Sequence, residues 1–341
     1  MPLSATEREP ARAPAQAAAR VPALDWTKGA LIICMVIYHA INYSAFRPLA
    51  FRWLAFLPPS FILITGFLVG QVYAAKYDLR TWKPYARLAI RGMKLLLVFV
   101  FLNVVHCVAL KRGLQEGLWE FADRSDAIFV SGNGRAGIFE VLLPIAYFLL
   151  LAPALLWLRA RSRGSITVCA AAMFLLCVGL ELGGRQLKNL SFVSVGLIGM
   201  ALGLIRLETV DRLAWKWLPV LALYLLYRLA GYLIGEVYPV QTAAAAVSVL
   251  LLYCCALHLG AGTWLGRQIV LLGQYSLLGY LAQIVVIQFL VMALGGQPDH
   301  AAGVIVVCLA TAALTLLIIR TVHESRRKSR FADVAYKTVF A

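Results

Sequence analysis

Apolar residues fall into ten long runs along this 341-residue chain, separated by short polar stretches. The runs cover roughly 29–46, 53–75, 92–110, 136–158, 165–183, 190–206, 215–236, 240–260, 267–294 and 301–320. Each is close to the about 20 residues that a helix needs to cross a bilayer core. In hydrocarbon, backbone N–H and C=O groups must be satisfied inside the segment, so such runs predict helices. The pattern therefore predicts an all-α integral membrane protein with about ten transmembrane helices. The fifth and sixth runs are short, and Gly183-Gly184 between them is a turn signal. No fixed-period repeat or low-complexity linker divides the chain, which reads as one domain.

Composition supports this pattern. With 62% hydrophobic residues, 14% charged residues and a mean hydropathy of +0.80, a soluble globular domain is excluded. The net charge of +16 raises the question of nucleic acid. The basic residues sit in short loops between apolar runs and form no basic domain, so the partner implied is the lipid bilayer, with no nucleic acid. Their distribution also orients the chain. With the N-terminus inside, the cytoplasmic segments carry an almost threefold excess of Lys and Arg over the opposite side. Both termini are expected in the cytoplasm, which requires an even number of spans, and the protein is expected in the inner or plasma membrane as a multi-pass chain. Residues 1–20 are Ala/Pro/Arg-rich without an apolar h-region and read as a disordered cytoplasmic tail, not a signal peptide. Residues 21–322 read as the transmembrane domain and 323–341 as a basic cytoplasmic tail. Seven cysteines, Cys34, Cys107, Cys169, Cys177, Cys254, Cys255 and Cys308, lie in apolar runs with no CxxC or CxxH spacing. They read as small buried hydrophobes, with no metal.

The polar residues within this apolar frame carry the candidate chemistry. Leu24-Asp25-Trp26-Thr27-Lys28-Gly29 heads the first run, and His39 lies eleven residues beyond Lys28. At about 100° and 1.5 Å per residue, Lys28 and His39 share one stripe about 16 Å apart, with Asp25 on the same face and Asn42 one turn beyond His39. An ionisable residue at that depth is costly and is read by default as functional. Histidine, with an ordinary pKa of about 6.5, suits proton transfer near neutral pH. A histidine that only hydrogen-bonds a neighbouring helix is the alternative.

Other positions join the set. Thr65 beside Gly66 marks either helix packing or a hydroxyl donor. Arg87, Arg91 and Lys94 form an i, i+4, i+7 stripe at the mouth of the third run, explained by topology alone or by phosphate binding. Glu140 and Arg228 fall inside apolar runs and either pair structurally or line a cavity. Ser276, Tyr280 and Gln283 make a second i, i+4, i+7 stripe, serving as packing contacts or as a site. The loop 111–135 carries Asp123, Asp126 and Asn133 beside Trp119 and Phe121, a set that suits either a sugar-binding surface or an amphipathic cap helix.

At these residues the chain resembles the transmembrane acyltransferase superfamily, the acyltransferase-3 proteins and related glucan succinyltransferases. That family opens with an LDxxRG-like motif and a basic-X10-histidine signature, and Leu24 to Gly29 and Lys28 to His39 are similar to both, with Lys for the more usual Arg. Its FFxxSGF segment resembles Phe61 to Phe67, with Thr65 for serine. Its Arg-rich entry to the third span resembles Arg87 and Arg91. A late LGxxSYxLYLxH-like segment resembles Leu272 to Gln283, with Gln283 where histidine is common.

The resemblance implies transfer of an acyl group, of acetyl or succinyl type, from cytoplasmic acyl-CoA as co-substrate to a carbohydrate or glycan hydroxyl on the far side. His39 would be the catalytic histidine, with Lys28 and Asp25 as partners. On their own chemistry, Arg87, Arg91 and Lys94 are candidates to hold the donor phosphates, and Asn42, Thr65, Glu140, Arg228, Ser276, Tyr280 and Gln283 are substrate or oxyanion candidates. Whether His39 acts as base or acyl carrier stays open, and the loop 111–135 is expected to handle the acceptor. A transporter using Asp25, His39, Glu140 and Arg228 as a relay is the competing class, against which stands the lack of inverted repeats.

Overall fold

The computed structural model describes residues 21–45, 53–75, 77–111, 114–132, 139–235, 237–260 and 262–340. All regular elements among them are helical. Among the described residues, nine helices are long and apolar enough to cross a membrane, or ten if one bent pair is a single span, so the chain is a multi-pass membrane protein. The expected spans are all there, but three have a different form from the simple rods that hydropathy suggests.

The first span, α1 (Pro22–Asn42), starts with a proline whose missing N–H costs nothing at that position. The second is α2 (Leu57–Leu68), which runs on as a π-helix from Val69 to Ala74. Next come α3 (Lys83–Lys111), the short α4 (Leu114–Asp123) folded back against it, and α5 (Leu142–Arg161). The fifth and sixth spans are α6 (Ser165–Leu182) and α7 (Lys188–Leu202). Only 15 residues long, α7 turns through 99° into α8 (Leu207–Ala214). Then α9 (Trp217–Ile234) and α10 (Tyr238–Leu259) follow.

The ninth run, 267–294, is two helices. Thr263 caps α11 (Trp264–Gln274) by accepting from the Gly266 N–H at 3.0 Å, and the chain breaks at Tyr275 before α12 (Ser276–Ala293). The last span, α13 (Ala301–Lys328), continues about 12 Å beyond the 20 residues that a core requires.

Helix α1 is the axis of the bundle. It packs on α2, α10, α11, α12 and α13, and 61% of its apolar window is buried, against 11% for the peripheral α9. Its Leu31, Ile32 and Met35 join Phe61, Phe99, Leu142 and Ile319 in the largest apolar core. The α1–α11 crossing is backbone to backbone. A Cβ at Gly29 would land on the Ile269 carbonyl, and one at Gly273 on the Asp25 carbonyl. A second close seam joins α2 to α7, where Gly66 lies against the Gly196 carbonyl and Gly199 against that of Leu63. Without a hydrophobic drive between helices in lipid, such small-residue contacts carry association. Several polar side chains in the spans are satisfied locally: Thr27, Ser60 and Thr242 each donate to the carbonyl four residues back.

The segment beyond 322 is ordered and docked. No break falls at 322, and after α13 comes the amphipathic α14 (Arg330–Phe340). Arg326 donates twice to Asp333, at 3.0 and 2.6 Å, and once to the Tyr275 hydroxyl at 3.0 Å, with its guanidinium 4.0 Å from the Tyr336 ring. Lys337 and Arg326 hold the Asp333 carboxyl below the usual carboxylate range, so this clasp is present at neutral pH and lost only as pH falls through that lowered value. Lys94 on α3 donates to the Lys337 carbonyl at 3.1 Å, fixing the far end of α14.

Replacing Gly273 by leucine is expected to destabilise the bundle by at least about 2 kcal/mol, because neither backbone can retreat. Gly179→Leu, at a position with open space around it, is expected to leave stability unchanged or slightly higher. Unfolding midpoints in one detergent compare the two, and equal midpoints would show that α1 and α11 can part at little cost.

Candidate active site

Where α1 and α9 end and α2, α5, α7 and α10 begin, the helix ends surround a cavity of about 1120 Å³. Its wall brings together His39 and Asn42 from α1, Glu140 before α5, Arg228 from α9 and Tyr280 from α12. These five come from four distant parts of the sequence.

His39 stands in the last turn of α1, and neither ring nitrogen has a hydrogen-bond partner among the described residues, although both are shielded from solvent. Leaving a shielded polar atom unpaired costs about 1–3 kcal/mol, so this imidazole is held in an unsatisfied state facing a cavity. Aromatic rings fix its orientation: Tyr38 lies edge-on at 5.3 Å and Tyr43 at 6.3 Å. Tyr43 is itself anchored, its hydroxyl accepting from the Gln288 amide at 3.0 Å.

Opposite α1, Tyr280 is buried with its ring 6.2 Å from Phe61 and 6.1 Å from Phe139. Phe139 has φ of 60°, the left-handed region that a bulky residue rarely enters. This strained residue, itself in the cavity wall, turns the chain into α5 and is buried by its packing on Tyr280. Glu140 follows it and sits in the turn before α5, half-exposed and 3.9 Å from Lys188 at the start of α7. The expectation that Glu140 lies inside the fourth span is therefore corrected: the helix starts at Leu142, because Phe139 and Glu140 form the turn. Arg228 does lie within its span, with its guanidinium 4.8 Å from the Trp53 ring and 5.7 Å from that of Tyr227.

The remaining candidates lie elsewhere. Lys28 pairs with Asp25 at 2.7 Å, beside the α1–α11 crossing and about 16 Å along α1 from His39. That pair is not in the cavity wall. Thr65 is also outside, its hydroxyl donating to the Phe61 carbonyl at 2.7 Å. Ser276 is half-buried at the start of α12, and Gln283 is fully buried outside the cavity wall, with no partner for its amide among the described residues. In the loop 111–135, the described part forms α4 and a π-turn from Ala127 to Ser131, pinned by Asn189 to the Ile128 and Phe129 carbonyls. None of its described residues lines the cavity, and Asn133 lies outside the described residues.

Arg87, Arg91 and Lys94 gather at the opposite end of the bundle, where α3 begins. Arg87 donates to the Tyr77 hydroxyl at 2.9 Å, and Arg91 makes a longer contact of 3.4 Å to that of Tyr73. The two tyrosines stack at 5.1 Å, and Tyr73 belongs to the π-helical turn that ends the second span. Such π-turns concentrate at functional positions. The cation stripe is thus presented by aromatic rings and not scattered over a loop.

A family model described as an acyltransferase domain, of the acyltransferase-3 type, matches residues 21–320. The chain belongs to the acyltransferase-3 family. It is a multi-pass membrane acyltransferase, and the match covers every span from α1 to the membrane-length part of α13. No curated protein and no solved structure matches the chain.

Sequence reasoning did not single out Trp53, Tyr38, Tyr43, Lys188 or Gln241, which also line the cavity around His39. The available signal was weak: aromatic residues and lysines near span ends are expected in any membrane protein. In a cysteine-free background, Asn42→Cys and Ala55→Cys are expected to react with a membrane-impermeant thiol reagent, and Thr65→Cys to stay unlabelled. Equal labelling at all three positions would deny that the cavity is a distinct water-filled space.

Proposed function

We propose that this acyltransferase moves an acetyl- or succinyl-type group from cytoplasmic acyl-CoA to a carbohydrate hydroxyl on the extracytoplasmic side of the cell's inner or plasma membrane. The observation that carries the reading is His39, an unsatisfied imidazole in a roomy cavity lined by aromatic and hydrogen-bonding groups. Sugars are bound by such combinations, since hydroxyls need paired donors and acceptors and the ring's C–H face packs on aromatic rings. Tyr43, Asn42 and Gln241 supply the polar part and Trp53 an aromatic face. Arg87, Arg91 and Lys94, at the other end of the bundle, suit the phosphates of the nucleotide donor.

The chemistry follows from these groups. The acceptor hydroxyl oxygen attacks the acyl carbonyl carbon while a His39 ring nitrogen takes the hydroxyl proton. Tyr280 and Asn42 are the donors available to the oxyanion of the tetrahedral intermediate. Its collapse breaks the carbon–sulfur bond, and the thiolate leaves with the proton that His39 held. Asp25 and Lys28 act in this reading from a distance, by fixing the head of α1 in register with α11. A step in which His39 carries the acyl group remains compatible with the same geometry.

His39→Ala is expected to lower turnover by about 10² to 10⁴-fold while donor binding persists, because a general base acts on the transition state far more than on the ground state. His39→Gln is expected to be equally inactive, since an amide keeps hydrogen bonding but takes no proton. Glycan mass spectrometry of cells carrying each variant provides the check, scanning for acetyl or succinyl mass increments. Near-normal acylation by His39→Gln would sink the assignment and favour a relay or packing role.

Neutralising Arg87 and Arg91 together is expected to weaken acyl-CoA binding and to remove most of its salt dependence. Binding by the purified double variant that matches the parent would leave those residues to topology alone.

A further inference from the structure

Three stripes of buried residues meet where α1, α12 and α13 pack together. On α1 the stripe is Ile32, Val36 and Ala40, on α12 Gly279, Gln283 and Ile287, and on α13 Val307, Thr311, Thr315 and Ile319. Each repeats every four residues, the spacing that keeps side chains on one helix face. Both ends of this seam are apolar. At one end a Cβ on Gly279 would stand 3.1 Å from Ile32 and 3.2 Å from Ile319, and at the other Ala40, Ile287, Val304 and Val307 form one cluster. Gln283 lies midway, about 6 Å along α12 from either end, and Thr311 and Thr315 fall between the same two ends on α13.

The middle of the seam is polar. Gln283 and Thr311 are wholly buried and Thr315 nearly so, and neither the amide nor either hydroxyl has a hydrogen-bond partner among the described residues. A helix threonine can donate to the carbonyl four residues back, as Thr27, Thr65 and Thr242 do, yet these two do not. Burying three such groups together is costly unless something bonds them. Their chemistry selects what that is. The amide offers two N–H donors and an accepting oxygen, and each hydroxyl both donates and accepts. A cation would serve the oxygens and repel the amide N–H groups, and an anion would do the reverse. Water donates and accepts, and typically makes about three bonds to buried polar groups.

We propose that the α1–α12–α13 seam contains a bound-water site whose ligands are the Gln283 amide and the Thr311 and Thr315 hydroxyls. Its apolar ends close it off. Tyr280 and Ile284, on the same stretch of α12, line the His39 cavity, whereas Gln283 does not. The water therefore belongs to the interior of the bundle and not to the substrate space. It joins α12 to α13 in mid-span and gives Gln283 a role apart from substrate. This inference is independent of the acyl-transfer reading.

Solid-state NMR tests the site on the full-length protein in liposomes, with the glutamine side-chain nitrogens isotopically labelled. Magnetisation passed from water protons to an amide reports water in contact with it, and Gln283→Met identifies the Gln283 signal by its loss. The Gln283 amide is expected to receive magnetisation from water. Its protons are expected to exchange with deuterated solvent at least about tenfold more slowly than those of the exposed Gln297. Thr311→Val combined with Thr315→Val is expected to cut the transfer about twofold or more, since valine keeps the shape and removes the hydroxyls that hold the water.

A Gln283 amide that receives nothing from water means that the three side chains bond one another directly, and overturns the proposal. So does exchange as fast as that of Gln297, which would make the seam open to solvent, or transfer that is unchanged in the double valine variant. Should Gln283→Met fail to fold, Gln283→Asn removes the same glutamine signal, and the single valine variants stand in for the double one.

Discussion

Two glycines, Gly29 and Gly273, let α1 and α11 touch along their backbones, and much of the structure depends on that contact. In a bilayer the lipid tails are as apolar as the helix surfaces, so close van der Waals packing must do what water exclusion does elsewhere. The crossing fixes the head of α1 against α11. The break at Tyr275 then frees α12 to take its own direction, and Tyr280 on α12 faces the same cavity as His39. The Asp25–Lys28 pair lies at the crossing, where a buried pair that satisfies itself adds no exposed charge to the seam. The segment from Leu24 to Gly29 is in this light a packing element.

The cavity is built at the opposite expense. Around it the usual economy of membrane proteins is suspended: an imidazole has no partner among the described residues, a phenylalanine sits in the left-handed region, and an arginine stands within a span. Each costs on the order of a kilocalorie or more, and all three converge on one space. Several hydroxyls elsewhere in the spans bond back to their own helices, as those of Thr27, Ser60, Thr65 and Thr242 do, while those of Ser194, Ser248, Thr311 and Thr315 have no partner among the described residues.

At the other end of the bundle, α14 closes on Tyr275 and Lys94 through the Arg326 clasp. The same tyrosine that marks the break in the ninth span thus anchors the final helix, with His323 Nδ1 also 3.0 Å from its hydroxyl. The cation stripe of α3 and the docked C-terminal helix are neighbours, although 243 residues separate Lys94 from Lys337.

The sequence by itself determined the membrane class and the approximate number of spans. Hydropathy and the helical period are local properties, readable from neighbours along the chain. It also determined the stripe of Arg87, Arg91 and Lys94, because all three lie on one helix. Only the tertiary structure decided that His39, Asn42, Glu140, Arg228 and Tyr280 share a cavity while Lys28, Thr65, Ser276 and Gln283 do not. A cavity wall depends on which helix ends meet, and no period within one helix encodes that. The same reason hid Trp53 and Lys188, whose residue types are ordinary at span ends, and the turn at Phe139 that takes Glu140 out of its span. Helix direction was local, and the company each side chain keeps was not.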